Sequence, residues 1–265
     1  MATIVHRNTR ANWEGEKTPF YPAVRTGLTG VYLPGRSAAW TGRNRINPAL
    51  PAVVQGTPTY HDGYVDFLGL DSNQSRLQTQ HLESTSFTWI LAYKTPASLV
   101  AGDLPCVLSA SGGKSQAVPS RSVNGSRLII NSTDGQVVLS VAGWDPAGNG
   151  GAGASANQSV SLTATTEAPL PGSWAIISAH GSPTRVRLTN HTNPLAAPKQ
   201  AAFSVQRDPG NMPITVGDNT INNNTYDGPI SIAGFFDYEV DLELADEALA
   251  VAQLRARLAA WGIIA

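Results

Sequence analysis

The run Ser86-Phe-Thr-Trp-Ile-Leu-Ala-Tyr93 combines aromatic, β-branched and aliphatic residues without a glycine or proline, which predicts a β-strand. Nine further runs of similar character lie on either side of it, separated by clusters of Gly, Pro, Asn and Ser. These predicted strands span residues 30–33, 63–67, 106–110, 127–131, 137–141, 174–179, 184–189, 213–216 and 228–236. Because short strands with turn signals between them are typical of a β-sandwich or barrel, the sequence predicts an all-β fold.

The turns between strands are marked by dipeptides that accept a positive φ. They are Asp62-Gly63, Asn124-Gly125, Asp134-Gly135 and Asp227-Gly228, of which Asp134-Gly135 predicts a hairpin. A glycine-rich run at residues 148–154 predicts a flexible loop. One helix is predicted over residues 244–261, because Leu254, Leu258 and Trp261 form an apolar stripe and Gly262 follows as a stop signal.

Composition and charge exclude several classes of protein. The 265 residues are 42% hydrophobic and 14% charged, with a formal net charge of -1. Disordered chains are poor in hydrophobic residues, and proteins that coat nucleic acid carry a basic surplus, so we expect neither class. No apolar stretch approaches the roughly 20 residues that cross a bilayer, and residues 1–9 lack the apolar core of a secretory signal. Cys106 has no internal partner and is predicted to be a small buried residue.

Positive charge is concentrated at the start of the chain and negative charge near its end. Residues 1–45 hold seven Lys or Arg against two Glu, whereas residues 227–247 hold seven Asp or Glu and no Lys or Arg. Residues 1–26 precede the first predicted strand, and we expect an extended arm that docks on a partner or a second copy. Its anchors would be Trp13, Phe20 and Tyr21, with Arg7 and Arg10 as orienting charges. The alternative is a disordered leader.

The order of the predicted elements resembles a known family. Ser86–Tyr93 is followed by Gly172-Ser-Trp-Ala-Ile-Ile-Ser178, Arg185-Val-Arg-Leu188, Ile214-Thr-Val-Gly217, Asp227-Gly-Pro-Ile-Ser-Ile232 and the acidic helix start Leu244-Ala-Asp-Glu247. This series is similar to the laminin-G-like, concanavalin A-like jelly roll. The resemblance implies a jelly-roll sandwich over residues 27–265 with the terminal helix at 244–261 and the arm at 1–26. Domains of this layout also resemble tail-associated and other virion proteins of bacteriophages.

Three carboxylates with alternate spacing form a candidate catalytic strand. Glu239, Asp241 and Glu243 would share one face of a strand, because side chains alternate along it. This spacing resembles the catalytic strand of retaining, laminarinase-like glycoside hydrolases, which implies Glu239 as nucleophile, Asp241 as its modulator and Glu243 as acid/base. The position of the motif, directly before the terminal helix, argues against this function. The alternative is that these residues form the exposed side of the last strand and the start of the helix.

Two other groups of residues are candidate binding sites. Trp144, with Asp145 and Asn149 beside it, lies next to the glycine-rich run, where an aromatic ring could stack on a sugar. The alternative for Trp144 is a lid over one end of the sandwich. Asp218, Asn222 and Asp227 offer the oxygen ligands that Ca²⁺ prefers, although the favoured interpretation is a polar loop whose side chains bond their own backbone.

The resemblance therefore implies a non-enzymatic structural protein of a bacteriophage particle. It would be tail-, baseplate- or fibre-associated or a capsid decoration, made in the host cytoplasm without a signal peptide. We expect a homo-oligomer that contacts other virion proteins and possesses a surface able to bind a bacterial glycan, with no nucleic-acid partner and no membrane insertion. No cofactor is expected unless Ca²⁺ binds. The alternatives are a retaining glycoside hydrolase using Glu239 and Glu243, and a stand-alone lectin.

Overall fold

The computed structural model describes residues 20–69, 74–110, 112–132, 135–163, 166–193, 196–217 and 226–264. Numbered in chain order, their elements are β1 (Leu28–Tyr32), α1 (Ala38–Thr41), β2 (Val53–Gln55), β3 (Thr59–Tyr60), β4 (Val65–Leu68), β5 (Arg76–Leu82), β6 (Phe87–Lys94), β7 (Cys106–Ser109), β8 (Arg127–Ile130), β9 (Val137–Val141), β10 (Gly143–Asp145), β11 (Ala154–Ser155), β12 (Gln158–Leu162), β13 (Trp174–Gly181), β14 (Arg185–Asn190), β15 (Lys199–Ala202), β16 (Gln206–Arg207), β17 (Pro213–Val216), β18 (Pro229–Tyr238) and α2 (Leu244–Ala260).

Two large antiparallel sheets carry most of these strands. The first has the order β15-β14-β13-β6-β18-β4-β3, and β1 also pairs with β18. The second has the order β12-β9-β8-β7-β17-β5-β2, and β11-β10-β16 form a small third sheet. Some neighbouring strands are consecutive in the chain, such as β13 and β14, whereas others come from distant parts of it, such as β6 and β18. The fold is thus the all-β sandwich with a short C-terminal helix that the sequence predicts.

The first sheet is covered on both faces, as strand β6 shows. Trp89 and Leu91 enter the core between the two large sheets, whereas Ile90 and Ala92 enter a second core on the opposite face. This alternation follows from the two-residue period of a strand. It explains why residues 86–93 are apolar throughout instead of alternating with polar side chains.

Helix α2 covers that opposite face and ends where the sequence predicts, within one residue. Leu254 and Leu258 of its apolar stripe are fully buried in the second core. A Cβ at Gly234 would lie 2.6 Å from a methyl carbon of Leu254, so glycine allows the helix to approach β18 closely. Gly262 follows the helix at φ 67°, and the Ile263 amide donates to the Leu258 carbonyl at 2.9 Å.

All ten predicted strands overlap observed ones, and Cys106 is a free, buried cysteine as predicted. Strand β5 was not predicted, because burial alternates along Arg-Leu-Gln-Thr-Gln-His-Leu without a matching alternation of polarity: Thr79 and His81 are buried, whereas Leu82 is exposed. The glycine-rich run forms a turn between β10 and β11 in which the Gly153 amide donates to the Gly148 carbonyl at 3.0 Å. Of the predicted Asp134-Gly135 hairpin, Asp134 lies outside the described residues, while Gly135 has φ 65°.

The described part of the predicted arm packs on its own chain. Phe20 contacts Phe236 edge-on, with ring centroids 5.8 Å apart, and Val24 is buried in the second core. Phe20 is therefore an internal contact in this structure, not a free anchor for a partner. Tyr21 is 66% exposed. Arg7, Arg10 and Trp13 lie outside the described residues.

Candidate functional site

The predicted catalytic strand does not exist in this form. Strand β18 ends at Tyr238, so Glu239, Asp241 and Glu243 lie on the irregular segment that leads to α2. Side chains on such a segment do not alternate between two faces, and the expectation of three carboxylates on one strand face is wrong. Glu239 and Glu243 are exposed. Asp241 instead pairs with Arg185, whose Nε lies 2.7 Å from its Oδ2.

Asp241 borders a buried ionic cluster between α2 and the first sheet. Its Oδ1 lies 3.2 Å from His180 Nδ1, and His180 Nε2 lies 3.3 Å from Oε1 of Glu247. Glu247 also accepts from Arg187 Nη2 at 2.7 Å. His191 Nε2 lies 3.0 Å from its Oε1, and the Ser178 hydroxyl donates to the same carboxylate. This cluster ties the first turn of α2 to β13 and β14.

The charges of the cluster compensate each other. Burial alone would raise the pKa of Glu247, but hydrogen bonds from His180 and His191 hold that pKa well below its ordinary value. The pKa of Asp241 is likewise lowered, because bonds from His180 and Arg185 outweigh its burial. Both carboxylates are thereby held ionised at neutral pH.

Ser178, His191 and Glu247 do not form a hydrolytic triad. A triad needs a histidine that contacts the serine through one ring nitrogen and the carboxylate through the other. Here Ser178 and Glu247 both contact Nε2 of His191, at 2.8 Å and 3.0 Å. Since Ser178 and Glu247 are also buried, a substrate cannot reach them. The cluster is structural.

Asp237 is a buried carboxyl that sequence reasoning missed. It lies on β18 and is 2% exposed, and the Thr29 hydroxyl donates to its Oδ2 at 3.0 Å. Burial raises its pKa to about 7, with a further contribution from the charge of Glu239. A single carboxyl in a long apolar strand pattern gives no sequence signal that it points into the core.

Trp144 lies in the small sheet at one end of the sandwich. The Arg121 guanidinium lies 4.2 Å from its ring centroid, and the side chain is half-buried. Gly153 abuts the ring so closely that a Cβ there would lie 2.3 Å from it. Asp145 accepts a hydrogen bond from the Ala147 amide at 2.9 Å, and nothing is described of the Asn149 side chain. One ring face is therefore taken by an arginine, which reduces the surface on which a sugar could stack.

The predicted calcium ligands are not brought together in the part of the chain that the structure describes. Asp218 and Asn222 lie outside that part, and Asp227 is exposed. No group of three His, Cys, Asp or Glu side chains able to hold a metal ion occurs among the described residues. Within the same residues, no helix is long and apolar enough to cross a membrane.

A cleft that the sequence did not predict lies beside the N-terminal segment. Its volume is about 350 Å³. The apolar part of its wall consists of Phe20, Pro22, Leu28 and Ile46, and the polar part of Tyr21, Arg25 and Arg45. We call this surface the Arg45 cleft. The Gln253 side chain of α2 holds the segment at its edge, accepting from the Ala23 amide at 2.9 Å and donating to the Tyr21 carbonyl at 2.7 Å.

The basic side of the cleft belongs to a cluster of arginines. Arg45 lies 3.9 Å from the centroid of the Trp40 ring, and Arg36 lies 5.1 Å from the same ring. Burial, with the like charges of Arg43 and Arg36, lowers the pKa of Arg45 to about 10. Arg25 is exposed at the cleft. The excess of arginine in residues 1–45 is visible in the sequence, but the sequence does not show that Arg25 and Arg45 lie beside Tyr21.

Comparisons with solved structures identify the fold. The receptor-binding domain of botulinum neurotoxin type G matches with a TM-score of 0.55 at 9% identity, over 88% of this chain and 52% of that one. That of botulinum neurotoxin D matches with a TM-score of 0.55 at 11% identity, over 88% and 53%. A Trypanosoma rangeli sialidase solved with sialic acid matches with a TM-score of 0.55 at 12% identity, over 86% and 33%. These similarities confirm the β-sandwich fold.

The chain spans about half the length of the toxin domains and a third of the sialidase chain. No protein-family profile and no curated protein sequence matches it. The fold is therefore shown by structure alone, at identities of 9–12%.

Proposed function

We propose that this protein is a non-enzymatic glycan-binding component of a bacteriophage particle, associated with the tail, baseplate or fibre or serving as a capsid decoration. The observation that carries glycan binding is the Arg45 cleft, in which an exposed tyrosine stands beside guanidinium groups and an apolar wall. Sugar sites combine these features, because a ring face packs on an aromatic side chain while hydroxyls bond to polar groups.

The solved structures with this fold support a recognition function. One is a sialidase bound to sialic acid, and another belongs to a study in which entry of botulinum neurotoxin type C depends on two ganglioside molecules. These ligands are properties of those proteins. They make a glycan the first ligand class to test on this chain.

The particle assignment rests on the resemblance of the element order to phage virion proteins. An assembled protein of this kind would meet its neighbours as a homo-oligomer or through other virion proteins, and it would reside in the virion. The basic start of the chain and the acidic segment at residues 227–247 supply opposite charges for such contacts.

Glycan binding is tested with a glycan array and titration calorimetry on the full chain. Tyr21→Ala should lower the affinity for the best array ligand by about tenfold, since aromatic stacking contributes about 0.5–1.5 kcal/mol. Tyr21→Phe should retain binding. Leu170→Ala, at another highly exposed side chain outside the cleft, is the matched control. Absence of saturable binding to any glycan would contradict the proposal.

The alternative function is a retaining glycoside hydrolase that uses Glu239 and Glu243. The specific observation in its favour is that both carboxylates are exposed, near a protonatable carboxyl at Asp237. Polysaccharide turnover that Glu239→Gln abolishes would establish this function. Turnover that survives the substitution would remove the assignment.

A further inference from the structure

We propose that the Arg45 cleft selects a carboxylate-bearing sugar, with Arg25 and Arg45 pairing with the carboxylate and Tyr21 contacting the sugar ring. This inference rests on the proposed glycan-binding function and specifies the ligand class of the same site. It is carried by an excess of positive charge at the cleft, by the size of the cleft and by the exposed aromatic edge.

Among the residues that the structure describes, Arg25 and Arg45, the two arginines that line the cleft, have no acidic counterpart, whereas the neighbouring Arg36 lies 3.7 Å from Asp62. Neither Arg25 nor Arg45 forms an ion pair with any residue that the structure describes. Nε and Nη2 of Arg45 are buried without a hydrogen-bond partner. Buried N–H donors are normally hydrogen-bonded, so the guanidinium charge of Arg45 is incompletely compensated. An anion in the cleft would compensate this charge through the part of Arg45 that lines the cleft.

Like charges next to Arg45 strengthen this preference for an anion. Arg43 and Arg36 both disfavour its charged form, and Arg45 in turn disfavours the charge of Arg257 on α2. A bound carboxylate would relieve several of these repulsions together, whereas a neutral sugar would relieve none. Opposite charge within about 4–6 Å stabilises a charged group, and the effect grows as water is displaced.

The shape of the cleft fits one sugar unit. Its volume of about 350 Å³ is at the lower end of the roughly 300–1,000 Å³ found for small-molecule sites. Tyr21 stands at its edge with most of its surface exposed, while Phe20 is fixed against Phe236. A ring that packs on Tyr21 would bring a carboxylate substituent to the guanidinium side.

The test compares sugars that differ in the carboxylate. Methyl β-glucuronide and methyl β-glucoside differ only at the exocyclic carbon, and N-acetylneuraminic acid with its methyl ester forms a second pair. Affinities are measured on the full chain by saturation-transfer NMR and calorimetry. At least one acidic sugar should bind about tenfold or more tightly than its neutral partner, since charge-assisted hydrogen bonds contribute about 1.5–3 kcal/mol.

Variants assign the effect to the cleft. Arg25→Gln changes an exposed side chain. It should lower the affinity for the acidic sugar about tenfold and have little effect on the affinity for the neutral sugar. Arg45→Gln should act in the same direction, provided that its unfolding curve matches the wild type. Lys94→Gln, an exposed charge change outside the cleft, should leave binding unchanged.

The outcomes separate this inference from the proposed function. Equal affinity for acidic and neutral sugars, both lost in Tyr21→Ala, would overturn the carboxylate preference while glycan binding stands. Equal losses in Arg25→Gln and Lys94→Gln would show general charge attraction and overturn the site. Binding of no sugar would overturn both proposals. Displacement of the acidic sugar by self-association at high protein concentration would instead assign the cleft to the acidic segment of a second copy.

Discussion

Arg187 and Glu247 form an ion pair across the junction of β14 and α2, with Nη2 2.7 Å from Oε2 and both side chains at most 3% exposed. The two residues are 60 positions apart in the sequence. Such a pair is costly to bury, but removing one partner costs more, because the other charge stays behind without compensation. The attachment of α2 to the first sheet therefore depends on this cluster.

Glu247→Gln should lower the free energy of unfolding by about 3–5 kcal/mol, because Arg187 and His191 lose their closest carboxylate and Asp241 remains as a more distant partner of Arg187. Denaturant unfolding measures the effect. Glu243→Gln is the matched control, since Glu243 is exposed and caps α2 without a side-chain hydrogen bond. Equal stability of the two variants would show that the cluster does not hold the helix.

Acid should lower the free energy of unfolding by protonating the Glu247 carboxylate. The folded pKa of Glu247 lies below its unfolded value near 4.5, so its stabilisation is complete above that pH and decreases as pH falls toward the folded pKa. We expect the free energy of unfolding to fall steeply below about pH 4.5 in the wild type and less steeply in Glu247→Gln. Parallel acid profiles would contradict this explanation.

Asp237 should lower the free energy of unfolding as the pH rises. Burial raises its pKa from 3.8 to about 7, so its contribution is complete below pH 3.8 and is lost as pH rises through 7. Asp237→Asn should match the wild type near pH 4 and exceed its unfolding free energy at pH 8, by up to roughly 4 kcal/mol. Asp62→Asn, at an exposed carboxylate, should show no such divergence. A constant difference at all pH values would exclude titration of Asp237.

Truncation should separate assembly from folding. Deletion of residues 1–19 retains Phe20 and Val24 in the second core, so the β-sandwich should unfold at an unchanged denaturant concentration. Deletion of residues 1–26 removes both side chains and should lower stability by about 2–5 kcal/mol. If the start of the chain mediates assembly, both deletions should lower the mass measured by light scattering. An unchanged mass would contradict the arm hypothesis.

The strands with a continuous apolar pattern were predictable. A strand that is covered on both faces has apolar side chains at nearly every position, and this run is visible in the sequence. Residues 86–93 are the example, and the helix with its Leu254 and Leu258 stripe is another. The alternating strand β5 was missed because its polar residues resemble a loop when read singly. The order of the strands in the sheets cannot follow from local pattern, because β6 pairs with β13 and β18 from the far end of the chain.

The sites were less predictable than the fold. Glu247 has the sequence pattern of an exposed acid in the first turn of a helix, yet β13 and β14 supply three polar partners and His191, directly after β14, supplies a fourth. Asp241 and Glu243 were assigned to a strand that ends three residues earlier than Asp241. Tyr21 and Arg25 lie before β1 and Arg45 lies after α1, and the three side chains line one cleft only in the folded protein. Such convergence depends on tertiary contacts rather than on spacing.

The two hydrogen bonds of Gln253 to residues 21 and 23 attach the N-terminal segment to the middle of helix α2. Tension applied at the N-terminal segment would load both of these bonds to the middle of α2 and the contact of Phe20 with Phe236 on β18. Because Tyr21 also lines the Arg45 cleft, the same tension strains one wall of that cleft. The shape of the cleft therefore depends on how the N-terminal segment is held by Gln253 and by the Phe20–Phe236 contact.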